Sequence, residues 1–409
     1  SPGKIAASSW CASPRRRPEL GRPPAMAASI VRPTRDLRLD FFRGLSLFLI
    51  FIDHIPGNVL SYFTLRSVAF SDAAEAFIFI SGFTAAIVYG TVLHQRGFLL
   101  SAAQTYRRVW QLYVAHVFLF MIFTAEVSYT LNAADNPMYA EEMGVGNFLN
   151  EPHVAIIQAL LLRFQPTFLD ILPLYIVMLA GFPLVILLIR RHPLWALIPS
   201  ALLYGAVQRW GWALHLYPDE HPWFFNPLAW QFLFVIGAVC GDFQAHGRRV
   251  LPKPRWIPWL AGGIVVFCAV VSLTWLIHSF YDPFPPILAQ ELWRPAIDKT
   301  NLSPVRLINF LALAVAAVSV LPRDSAFLAG RFARPIVLCG QNSLYIFCLG
   351  ILLAVLGHFV LAEITDRLPV QLLVNLAGIV LMISAAFVIA WYKKASRPAP
   401  SATAAGPAE

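Results

Sequence analysis

The sequence predicts an all-α polytopic membrane protein, a bundle of about ten transmembrane helices with both termini in the cytoplasm. Three observations predict it. Of 409 residues, 58% are hydrophobic and only 13% charged, where an ordinary soluble domain carries about 25% charged residues. The mean hydropathy is +0.64. Apolar runs of roughly 17–25 residues, the length needed to cross a bilayer, recur along the chain. So few charges cannot cover a soluble globule of this size, and so much apolar sequence excludes intrinsic disorder.

A window of about 20 residues places spans near 41–60, 73–93, 109–131, 168–189, 194–215, 226–244, 257–280, 305–321, 336–360 and 369–392. The first is unusual in carrying Arg43, Asp53 and His54, and the eighth is short. The segment 153–165 (HVAIIQALLLRFQ) is too short to span and predicts an interfacial or re-entrant helix. Residues 1–25 are Pro/Arg-rich without an apolar core, so they do not read as a signal peptide. The chain opens on Ser and its first methionine is Met26, so 1–25 is expected to be translated upstream sequence. The division expected is a disordered leader over 1–33, a transmembrane domain over 34–395 and a disordered Pro/Ala-rich tail over 396–409.

The formal charge is +9, from 31 Lys+Arg against 22 Asp+Glu, but the basic residues form no single patch and do not suggest a nucleic-acid partner. They report orientation instead. With ten spans, 23 basic residues fall on the side of the termini, among them Arg38, Arg107, Arg108, Arg190 and Lys393, and about six on the other. Most loop acids share the poorer side. The positive-inside rule then places both termini in the cytoplasm. Cys240, Cys268, Cys339 and Cys348 lie in apolar runs without metal-ligand spacing and read as small buried hydrophobes.

Ionisable groups at membrane depth are costly and are functional candidates by default. Arg43 and His54 are eleven positions apart, which on a helix puts them on one stripe with Leu47 and Ile50, roughly 16 Å apart along the axis. Asp53 points elsewhere, and Pro56 and Gly57 end or kink the helix just beyond. Since alternate spans run in opposite directions, an outer layer around His54 is expected to hold Glu75, Asp170, Gln165, Asn226, Gln231 and His358. An inner layer near Arg43 is expected to hold Gln341, Asn342 and Ser343. Plainer roles compete: Arg43 snorkelling beside Asp40, Ser81 and Gly82 packing helices, Asp170 and Gln165 capping a helix start, Asn342 and Ser343 joining helices.

The motifs DFFRGLSLFLIFIDH, EAFIFISGF, QPTFLDILPLY, NPLAWQFLFVIG and GQNSLYIF occur in this order across residues 34–392. The first, with Asp40, Arg43, Gly44 and His54, resembles the transmembrane acyltransferase (acyltransferase 3-like) superfamily, and the set is similar to the OpgC family. That family comprises bacterial inner-membrane proteins that succinylate osmoregulated periplasmic glucans. The resemblance implies an acyltransferase domain, an acyl-CoA donor (succinyl-CoA) arriving from the cytoplasm with no tightly bound cofactor or metal, and a cyclic or linear β-glucan acceptor. A glucan synthase is a further partner it suggests.

On that reading Arg43, with Arg38, Asn342 and Ser343, holds the CoA end, guanidinium matching phosphate. The pantetheine arm spans the distance to His54. Neutral His54 is the expected general base on the glucan hydroxyl, with Glu75 or Asp53 stabilising the imidazolium and Asn226, Gln165 or Ser81 donating to the oxyanion. A covalent acyl-His54 relay is the competing chemistry. Asp170 and Gln165 line the acceptor site, and Arg163 and Arg209 are the expected readers of a succinyl carboxylate. The alternative from another class is a proton-coupled transporter or flippase of glycans or acyl donors, against which stands the absence of an evident inverted repeat.

Overall fold

The computed structural model describes residues 36–396 except 135–137, 219, 251–253, 282 and 284. The leader, Met26 and the tail beyond Ser396 lie outside the described residues. Among the described residues the chain is helical throughout, with one isolated bridge between His215 and Pro222. Eleven principal helices carry the fold: α1 Leu37–Asp53, α2 Ala73–Arg96, α3 Phe98–Ala134, α4 Ile171–Arg191, α5 Pro193–Trp210, α6 Pro227–Ala245, α7 Trp256–Phe280, α8 Pro304–Val320, α9 Ala333–Gln341, α10 Ser343–Glu363 and α11 Leu368–Ala395.

Seven of these, α2, α3, α4, α6, α7, α10 and α11, are long and apolar enough to cross a membrane. The expected first, fifth and eighth spans form as α1, α5 and α8, of 17, 18 and 17 residues, and fall outside that set. At 17 residues α1 and α8 are shorter than the seven. The expected ninth span, 336–360, is not one helix. It breaks at Asn342 (φ −115°, ψ 30°), whose Nδ2 donates to the Leu338 carbonyl, leaving short α9 and long α10. The third helix starts earlier than its apolar run and has 37 residues. The segment expected to be interfacial holds the nine-residue helix Pro152–Leu160 and then an irregular loop down to Asp170.

Glycines in the sequence motifs set the closest helix contacts. A Cβ on Gly44 of α1 would overlap the carbonyl of Ile336 in α9, and one on Gly340 of α9 would overlap that of Asp40 in α1. Likewise Gly82 of α2 meets the Phe234 carbonyl of α6, while Gly237 and Gly241 of α6 meet those of Phe79 and Phe83. Such backbone-to-backbone approach needs residues without side chains. Around these contacts Phe51, Phe123, Phe182, Trp230 and Phe234 are fully buried. The α1 stripe faces this core, with Leu47 and Ile50 both buried between Arg43 and His54.

Candidate active site

At His54, Pro56 and Gly57 stop α1, and the last carbonyls of a helix lack partners along the chain. His54 closes this end itself. Its backbone N–H bonds the Ile50 carbonyl at 3.0 Å and its Nδ1 bonds the same oxygen at 2.6 Å. A carbonyl only accepts, so the neutral ring carries its proton on Nδ1 and keeps a lone pair on Nε2. Phe168 packs on the imidazole with ring centroids 4.6 Å apart. Its backbone φ is 73°, a costly conformation for a bulky residue that persists only where the surroundings impose it. They do: Thr167 donates from its backbone to Met143 and from its hydroxyl to Glu142.

His54 lines a cavity of about 630 Å³ shared with Asp53, Arg66, Asp72, Gln165, Asp170, Lys299 and Arg306. Asp53 accepts from the Thr64 hydroxyl at 2.7 Å. Asp170 sits at the start of α4 but makes no capping hydrogen bond there. Gln165 donates from Nε2 to the Leu162 carbonyl at 2.8 Å, while its Oε1 is buried without a partner.

A four-membered ion network closes one wall. Asp72 caps α2 by accepting from the Ala74 N–H, and Glu75 returns the capping box by accepting from the Asp72 N–H, both at 2.8 Å. Arg306 of α8 reaches both acids, with 2.6 Å to Glu75 and 3.3 Å to Asp72. Lys299 lies 2.6 Å from Asp72 and above the rings of Phe224 and Phe225. Burial works to raise the Asp72 carboxyl, but Lys299 and Arg306 outweigh it and hold it below the usual carboxylate range. Arg306 is almost wholly enclosed and spent on its two acids. Lys299 is more open, with 29% of its side chain exposed. Its ammonium has three donors. Arg66 is exposed at the rim, bonded to the Asp53 carbonyl at 3.3 Å.

The structure therefore gathers His54, Asp53, Gln165 and Asp170 in one cavity. Glu75 lies behind it, fully buried in the ion network, and hydrogen bonds neither His54 nor a cavity group other than Arg306 and the Asp72 backbone. Asn226 caps α6 and braces the Trp212 carbonyl and Asn301 with its amide. Ser81 bonds back to the Phe77 carbonyl at 2.7 Å beside the Gly82 contact. Arg163 and Arg209 are exposed and do not line the cavity. His358 pairs instead with Glu142 at 3.1 Å.

At the other end of α1, Arg43 donates to Thr84 Oγ1 and the Ile80 carbonyl of α2, at 2.8 and 3.2 Å. Arg38 forms a two-point pair with Asp36. Asn342 accepts from Lys393 Nζ at 2.6 Å, and Ser343 opens α10 beside it. Gln341 donates to Asp40 at 3.3 Å.

Sequence reasoning missed Lys299 and Asp72. Lys299 stands in a loop before α8, held by Asp298 accepting from the backbone of Thr300 and Asn301, and no apolar pattern marks it. Asp72 was readable: Asp-Ala-Ala-Glu before an apolar run is a capping-box signature.

A family model described as OpgC protein matches residues 35–394. Neither a curated protein nor a solved structure matches the chain. The chain belongs to the OpgC family.

Proposed function

As a premise from that membership, we propose that the chain is a multi-pass O-acyltransferase of the bacterial inner membrane. It moves an acyl group, foremost succinyl, from acyl-CoA to hydroxyls of periplasmic glucans, with both termini cytoplasmic and ten passes in all. The observation that carries this reading is His54, whose Nδ1 is held by Ile50 while it lines a polar cavity that Phe168 partly roofs.

In the proposed step the glucan hydroxyl gives its proton to His54 Nε2 as its oxygen attacks the thioester carbonyl. The C–O bond forms, the C–S bond breaks, and the imidazolium returns the proton to the departing thiolate. Asp53 faces the same cavity and offsets the positive ring through space. Glu75 acts at one remove, by holding Arg306 and the start of α2. Gln165, which lines the cavity, is the proposed donor to the oxyanion; Asn226 and Ser81 are engaged in capping and helix packing.

Lys299 is the proposed reader of a terminal carboxylate on the acyl group, in place of Arg163 and Arg209, because it lines the cavity and has donors left after Asp72. Arg43, Arg38, Asn342 and Ser343 are proposed for the CoA end; binding there requires Arg38 to exchange Asp36 for phosphate. Mass spectrometry of periplasmic glucans from cells with the gene, without it, and with His54→Asn tests the reading. Acylated glucans in the first alone support it, and identical glucans in all three reject it.

A further inference from the structure

A second cavity of about 530 Å³ adjoins the first, and the two share Gly144, Gln165 and Leu216 in their walls. Its volume lies in the usual range for small-ligand sites, roughly 300–1,000 Å³. Its chemistry differs from that of its neighbour. Where the His54 cavity holds Arg66, Lys299 and Arg306, the second is lined by Glu141, Asn147, Asn150, Gln165, Tyr217 and His221, with no Lys or Arg in its wall among the described residues.

A phosphate or carboxylate finds no fixed cation there, and Glu141 repels it. A neutral polyhydroxyl ligand finds the reverse. Amide side chains both donate and accept, the carboxylate accepts from hydroxyls, and Tyr217 adds an amphipathic ring face.

The wall is also built in advance, which lowers the cost of ordering it on binding. The Tyr217 N–H bonds the Arg163 carbonyl at 2.9 Å and the Leu216 N–H bonds the His221 carbonyl at 2.8 Å. At the junction, Gln165 Oε1 is buried with no partner. An unmade hydrogen bond of this kind is costly, and a hydroxyl passing from the second cavity toward His54 would satisfy it.

We infer that the second cavity, built from Glu141, Asn147, Asn150 and Tyr217, is the acceptor subsite. It seats a neutral glucosyl unit of the glucan, and Gln165 aligns one hydroxyl at the opening into the His54 cavity. The inference rests on the acyltransferase reading for the identity of the acceptor, and assigns its place.

The test measures binding of a linear β-gluco-oligosaccharide to the full chain in nanodiscs without donor, beside transfer with succinyl-CoA. Wild type and Arg209→Ala, which lies outside both cavities, are expected to bind alike. Asn147→Ala with Asn150→Ala is expected to weaken binding roughly tenfold or more. Gly146→Trp is expected to do the same by filling the cavity, since a side chain at Gly146 meets nothing within 4 Å. Unchanged binding in both variants, or no binding by wild type, overturns the inference. Binding by wild type that both variants weaken, with no transfer under any donor, upholds the subsite and rejects the acyltransferase reading.

Discussion

The Ile50 carbonyl accepts from His54 Nδ1 at 2.6 Å, one turn back along the same helix. In familiar triads a carboxylate takes this position and also stabilises the imidazolium. Here a neutral oxygen fixes the tautomer, and the carboxylates of Asp53 and Asp170 lie across the same cavity. The helix end that Pro56 and Gly57 create is thus what orients the imidazole.

The buried Arg306–Glu75 pair makes the first prediction. Glu75 is 0% exposed, so Arg306→Met strands a buried carboxylate, and breaking such a pair costs about 3–5 kcal/mol. Thermal melts in detergent should fall sharply for Arg306→Met and recover in part when Glu75→Gln is added. A single variant that melts like wild type would show that the pair does not hold α2 to α8.

The helix contacts make the second. Gly340→Ala drives a Cβ into the Asp40 carbonyl, and overpacking of this kind costs roughly 1–3 kcal/mol. Gly263→Ala in α7 meets nothing within 4 Å and should be neutral or stabilise by up to about 1 kcal/mol. Melts that rank the two variants the other way would reject the α1–α9 contact.

Asp72 makes the third. Its folded pKa lies below the ordinary value of 3.8. A carboxylate lowered in the fold stabilises it fully above the unfolded value, and that stabilisation is lost as pH falls through 3.8 toward the folded value. Asp72→Asn keeps a capping side chain but loses the charge. It should melt below wild type near neutral pH, with the gap closing below about pH 4. A gap constant with pH would assign the loss to the cap.

Lys299 makes the fourth. A charge-assisted hydrogen bond contributes about 1.5–3 kcal/mol. Lys299→Met should therefore lower the preference for succinyl-CoA over acetyl-CoA, in ratios of kcat/KM, by roughly ten- to a hundredfold. Arg209→Met should leave that ratio alone. Equal loss with both donors would confine Lys299 to its pair with Asp72.

Much of this architecture was legible along the chain. Apolar runs located the long helices to within a few residues at most ends, and Leu47 and Ile50, between Arg43 and His54, are both buried. The misses have a common cause. Depth along a span is one coordinate, and the direction a residue faces is another. Arg209 and Arg163 were placed at that depth by chain order, yet both are exposed and neither lines the cavity. Lys299 reaches it from a loop 245 positions beyond His54, placed by the turn at Asp298. The break at Asn342 falls at the short polar stretch Gly340-Gln341-Asn342-Ser343, which a window of about 20 residues averages into the apolar run on either side.

The central claim is that His54 is the base for acyl transfer. The most direct measurement is acyl transfer from succinyl-CoA to a β-glucan by purified chain in nanodiscs, with wild type beside His54→Asn. Asparagine keeps a donor near the Ile50 carbonyl and removes the basic nitrogen. Positioned bases contribute roughly 10²–10⁴-fold, so transfer should fall by that factor while the melting temperature holds. Full transfer by His54→Asn would contradict the account.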